Sequence, residues 1–171
     1  MKGFAKAVLA AIFVSVAFMI FINFIYFFPW YMTIIYETFN LTQIAANDNY
    51  VKESYYNDIL YRLKEKPMFR EKAEKIEIIV LNDDGYTAIG NDDETIYEDS
   101  LDYEKPYKQR NSHLSVEIKA VYPLSVTLWG QKVEREIPVS FSLKTTGLKH
   151  YKDLDYYTEL DYYNSFGDLG E

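Results

Sequence analysis

The residues most able to do chemistry are two histidines and a run of acids. His113 opens an alternating segment and His150 follows a glycine-containing turn, and neither sits in a catalytic motif. The chain holds no Gly-x-Ser-x-Gly elbow, Walker loop, dinucleotide fingerprint or His-Glu-x-x-His. Asp83, Asp84, Asp92, Asp93 and Glu94 offer hard oxygen ligands, with Gly85 and Gly90 allowing sharp turns. Calcium chemistry would suit them, but the spacing does not fit an EF-hand, because Val80 stands where the first acid belongs. Solvated turns are the expectation. There is no cysteine, which excludes disulfides, zinc-thiolate sites and thiol catalysis together. The expectation is a protein that is not an enzyme, with no catalytic, cofactor-binding or metal-binding residue and no cofactor.

The elements say more than the side chains. From Ala7 to Tyr36 no residue is charged. As a helix rising about 1.5 Å per residue, that run exceeds the roughly 30 Å of hydrocarbon in a bilayer. Lys2 and Lys6 precede it and Glu37 is the first charge after it, so positive charge predicts a cytoplasmic N-terminus and an extracytoplasmic C-terminal domain. Tyr26, Phe27, Phe28, Trp30 and Tyr31 read as an aromatic belt at the headgroups, and Pro29 as a kink or an exit from lipid. The apolar stretch is too long for an ordinary cleaved signal. Asn23 lies within it as a candidate for hydrogen bonding between helices, and Ala7, Ala10, Ala11 and Ala17 as candidates for close helix packing.

Beyond the anchor, the net charge of −8 argues against nucleic acid or anionic lipid as a partner of the outer domain. Residues 31–66 show apolar spacings of three and four, predicting one long helix or two nearly collinear ones, with Asn47, Asp48 and Asn49 at the break and Pro67 at the stop. Ile76, Ile78 and Val80 alternate, as do Leu114, Val116, Ile118, Ala120 and Tyr122. Leu124, Val126 and Leu128 extend that pattern; Trp129 to Lys132 is a turn, and Val139, Phe141 and Leu143 lie on one face of the returning strand. Tyr86 to Ile89 reads as a short strand. Leu154-Asp155-Tyr156-Tyr157 recurs as Leu160-Asp161-Tyr162-Tyr163, and these paired tyrosines are candidate partner contacts.

The sequence thus divides into a basic cytoplasmic leader (1–6), a transmembrane helix (7–30) and an extracytoplasmic amphipathic helix (31–66). An antiparallel β domain (67–153) and an acidic, tyrosine-rich tail (154–171) follow. The expected class is α+β, with a long N-terminal transmembrane-plus-stalk helix packed on an antiparallel sheet.

This plan resembles type IV pilins, and more closely the TadE-like minor pilins of tight-adherence and related secretion or conjugation systems. Gly3 followed by Phe4 resembles a prepilin cleavage site, Gln43 to Leu63 resembles the stalk, and Val133 to Leu143 with Thr145 to Tyr151 resemble the closing strands. Val8 stands where pilins usually carry a glutamate, which weighs against a major subunit more than a minor one. The resemblance implies a single-pass, surface-fibre or cell-membrane protein that partners other pilin-like subunits or envelope assembly proteins, as a homo- or hetero-oligomer. A non-polymerising single-pass ectodomain that binds or senses is the alternative.

Overall fold

A computed structural model describes residues 2–128 and 131–154. One helix, α1 (Lys2–Asp48), runs without interruption through both the apolar run and the first part of the amphipathic segment. Pro29 lies inside it and does not end it. Two-residue strand β1 (Val51–Lys52), helix α2 (Glu53–Glu65) and a broken 3-10 turn (Arg70–Lys75) follow. Then come β2 (Glu77–Asn82), β3 (Ile89–Gly90), a 3-10 turn at Glu94–Tyr97, and the long strands β4 (His113–Leu128) and β5 (Gln131–Thr146). The fold is α+β: one long apolar N-terminal helix and a three-stranded antiparallel sheet in the order β2-β4-β5.

Alternation dictates the sheet. Ile78 and Val80 of β2 and Leu114, Val116, Ile118, Ala120 and Tyr122 of β4 are buried on one face, against α1. The α1 residues opposite, Trp30, Ile34, Leu41 and Ala45, are spaced by four or seven positions, one or two helical turns, so one stripe of the helix meets the sheet. Val139, Phe141 and Leu143 on the edge strand are half-buried. Leu128 pairs with Gln131 and Thr127 with Lys132, so the ladder takes in Gln131 and Lys132, expected in the turn. Trp129 and Gly130, and the tail from Asp155 with Tyr156, Tyr157, Tyr162 and Tyr163, lie outside the described residues.

Three expectations are corrected. The two helices are not collinear. α2 doubles back along α1, so that Arg62 and Lys66 near its end meet Glu37, and Met68 just beyond reaches Thr33. The reversal turns on Asn49, whose backbone takes the left-handed φ of 58°. Its side chain donates to the carbonyls of Lys108 (2.8 Å) and Lys149 (2.7 Å) and accepts from the Lys149 amide (2.9 Å). Second, Trp30 is not part of a lipid-facing belt. It is 1% exposed, inside the core, with Phe27 and Tyr31 packed against that core, while Tyr26 and Phe28 face outward. Third, the segment after β2 is no continuous strand: Thr87 makes a single bridge to Leu81, and Ile89–Gly90 pairs in parallel with Val51–Lys52.

Candidate functional site

The first half of α1 is an apolar surface with little covering it. Phe4, Phe13, Phe18 and Phe24 are all well exposed, and the helix is long and apolar enough to cross a bilayer. Its polar groups are satisfied within the helix: Ser15 Oγ donates to the Ala11 carbonyl at 2.9 Å and Asn23 Nδ2 to the Met19 carbonyl at 3.0 Å. The Ser15 and Asn23 side chains therefore need no partner outside the helix.

At 3.6 residues per turn, Ala7, Ala10, Ala11 and Ala17 share one side of α1, all exposed. Asn23, Phe27, Trp30 and Ile34 lie on the opposite side, the one that carries the sheet. The structure thus brings the four alanines together and sets Asn23 apart from them. Gly3 and Phe4 occupy the first turns of the helix, with Phe4 exposed.

Where apolar helix becomes domain core, aromatic rings form a collar. Trp30 and Phe69 lie 5.0 Å apart, Trp30 and Tyr122 5.2 Å, and Phe27 and Tyr122 5.1 Å edge-to-face. The Tyr122 hydroxyl donates to the Asn23 carbonyl at 3.1 Å, and burial pushes that phenol's pKa up. Two turns beyond Trp30, Glu37 is 2% exposed, with Arg62 at 3.5 Å and Lys66 at 3.6 Å. The sequence carried a signal for it, because Glu37 falls on the Trp30–Ile34–Leu41 stripe and must be buried with it.

At the other end of the domain a polar knot ties the chain's last described residues to its middle. Lys105, 3% exposed, donates to the Asp153 carbonyl (2.7 Å) and carboxylate (3.0 Å) and pairs with Asp102. The Tyr107 hydroxyl donates to the same carboxylate at 2.7 Å and its ring stacks on Tyr151 at 3.9 Å. Burial works to raise the Asp153 pKa, but the bonds from Tyr107 and Lys105 outweigh it and leave the group lowered. Burial lifts the phenols of Tyr50, Tyr107 and Tyr151 well above the ordinary range. Glu94, Tyr107, Lys149, Tyr151 and Asp153 line a cleft of about 430 Å³ here.

The loop acids are divided among separate partners. Asp83 accepts from the His113 amide, Asp84 pairs with Lys108, Asp92 caps α2 at Ser54, Asp93 caps Thr95, and Glu94 pairs with Lys149. His150 Nδ1 lies 2.9 Å from Gln109 Oε1. Among the described residues no group of three or more His, Cys, Asp or Glu is placed to hold a metal ion. No family model, curated protein or solved structure matches the chain.

Proposed function

We propose that the chain is a membrane-anchored, pilin-like (TadE-like) subunit for assembly of an envelope pilus, secretion or conjugation apparatus. The observation that carries this reading is the division of α1. One unbroken helix leaves its first half bare and apolar while its second half is packed on an antiparallel sheet. A bare apolar helix is equally at home in lipid and among other apolar helices, so moving between them changes little hydrophobic energy. Close packing would then be set by small residues, and the alanine side faces away from the sheet, where neighbouring helices have access.

Ala11→Leu and Ala17→Leu test this. Insertion into the membrane should be unchanged, and recovery of the subunit in the assembled surface fraction of its native host should fall several-fold. Unchanged recovery would overturn an assembly role for that face. The alternative, a non-polymerising single-pass ectodomain that binds or senses, draws on Asn23, whose amide donates to its own helix and whose carbonyl is tied to Tyr122.

A further inference from the structure

The sheet has one closed edge and one open edge. On β2 the Asn82 amide donates to the Tyr86 carbonyl and the Ala88 amide to the Val80 carbonyl, both at 2.9 Å, so the chain folds over its own edge there. The order β2-β4-β5 leaves the outer side of β5 without a partner strand among the described residues. Pro138 fixes which backbone groups that side presents. It stands opposite Val121 of β4, and a proline fits a paired strand only where the missing N–H would point away from the partner. Backbone groups alternate along a strand, so the N–H and C=O groups of Ser140, Ser142 and Lys144 point to the open edge, while those of Val139, Phe141 and Leu143 pair with β4.

Exposed edges are commonly blunted by charge or proline. On β5 those guards stop at Pro138: Lys132, Glu134, Arg135 and Glu136 precede it, and no charge follows until Lys144. Beneath the unguarded stretch the apolar layer is unfinished. Val116, Ile118 and Ala120 of β4 are buried against α1, whereas Leu143, Phe141 and Val139, their cross-strand neighbours on the same face, are half-buried. The α1 wall on this side is apolar too. Tyr31 meets Phe141 edge-to-face with centroids 6.4 Å apart, and Ile35, one turn on, is half-buried. One more strand would cover both. On the outward face, Lys144 is exposed and has no carboxylate partner among the described residues.

We propose that β5 from Val139 to Thr146 takes an added strand from a partner protein. The occupant is an extended segment in which apolar residues alternate with polar ones. Its apolar side chains lie against Phe141, Tyr31 and Ile35, and its outward positions include a carboxylate beside Lys144. Its backbone bonds the edge groups of Ser140, Ser142 and Lys144. A second copy does not supply this strand. Copies anchored in one bilayer present β5 in the same direction, which excludes antiparallel β5–β5 pairing, and their β2 edges are already covered at Val80 and Asn82. That exclusion rests on the reading of α1 as a membrane anchor; the open edge does not.

Amide hydrogen exchange of the full chain in detergent micelles, read residue by residue, tests this. The probe is the synthetic peptide acetyl-Val-Glu-Val-Thr-Val-Thr-Val-amide, with a twin N-methylated at its glutamate and threonines. In the free chain exchange should alternate, slow at Val139, Phe141 and Leu143 and fast at Ser140, Ser142 and Lys144. The peptide should slow the second set several-fold, and its twin should not. Ser142→Pro removes one edge donor without touching the β4 ladder, so it should abolish the effect at an unchanged melting temperature. Lys144→Glu, which alters no backbone group, should weaken binding several-fold, and a peptide with lysine in place of glutamate should restore it. No slowing by the peptide, or equal slowing by the twin, would overturn the proposal. Slow exchange at Ser140, Ser142 and Lys144 in the free chain that vanishes on dilution would assign the edge to a second copy. Slow exchange that vanishes when residues 155–171 are removed would assign it to the chain's own C-terminal segment. Either result overturns the proposal. Carbonate extraction of the unaltered chain from membranes reads the anchor separately: release would remove the anchor reading and leave the edge result standing.

Discussion

The Tyr122 hydroxyl donates to the Asn23 carbonyl oxygen at 3.1 Å, across 99 residues of sequence, and so ties the central strand to the apolar run of α1. The acceptor belongs to a helix that already uses its carbonyls, so the hydroxyl adds one modest bond while the ring fills the collar between Phe27 and Trp30. Tyr122→Phe should therefore cost about 0.5–1.5 kcal/mol. Tyr122→Ala should cost about 3–5 kcal/mol, because it empties the collar. Urea unfolding in detergent distinguishes the two, and equal losses would contradict the assignment of the energy to packing.

The helix reversal depends on Asn49 and Gly147 together. A Cβ at Gly147 would lie 2.5 Å from Asn49 Cγ, against the side chain that makes the three bonds of the turn. Asn49→Ala should destabilise by about 3 kcal/mol, combining lost bonds with a left-handed backbone. Gly147→Ala should cost about 1–3 kcal/mol through overpacking. The double variant should lose about 1 kcal/mol less than the sum, which a double-mutant cycle reads directly.

Much of this fold is legible in the sequence. The alternation from Leu114 to Tyr122 names the buried face, because one side of that strand meets α1 and the other does not. The break at Asn47 to Asn49 was visible as well. Its direction was not, since the reversal is held by carbonyls of Lys108 and Lys149, distant in sequence. Trp30 misled for a related reason: an aromatic residue closing an apolar helix looks the same whether lipid or a strand will cover it. The pairing of buried Lys105 with Asp153 has no local signature, because neither residue has an apolar periodicity around it.

Glu37 makes the α1–α2 hairpin sensitive to charge. Its carboxylate is buried, but the Arg62 and Lys66 side chains are 45% and 38% exposed, so each ion pair alone is screened by solvent. Arg62→Ala or Lys66→Ala should each cost no more than about 1 kcal/mol. Removing both should cost about 3 kcal/mol, because the buried carboxylate is then uncompensated. Thermal unfolding of the three variants measures this, and simple additivity would contradict it.

Hydrogen bonds from Lys75 and Lys72 hold the Glu136 carboxyl at about 2. A carboxyl lowered on folding favours the folded state above the ordinary glutamate range near pH 4.3, and that contribution fades as pH falls toward 2. The melting temperature of the native chain should therefore exceed that of Glu136→Gln above about pH 5, with the gap closing toward pH 2. A gap that widens on acidification would show the opposite shift.

The most direct test of the pilin-like reading is the mass of the N-terminal peptide, taken from the membrane and surface fractions of the native host. A pilin-like subunit should yield a peptide that begins at Phe4, cut after Gly3, in the surface fraction. A peptide that begins at Met1 in both fractions would contradict prepilin processing and leave α1 as a permanent anchor.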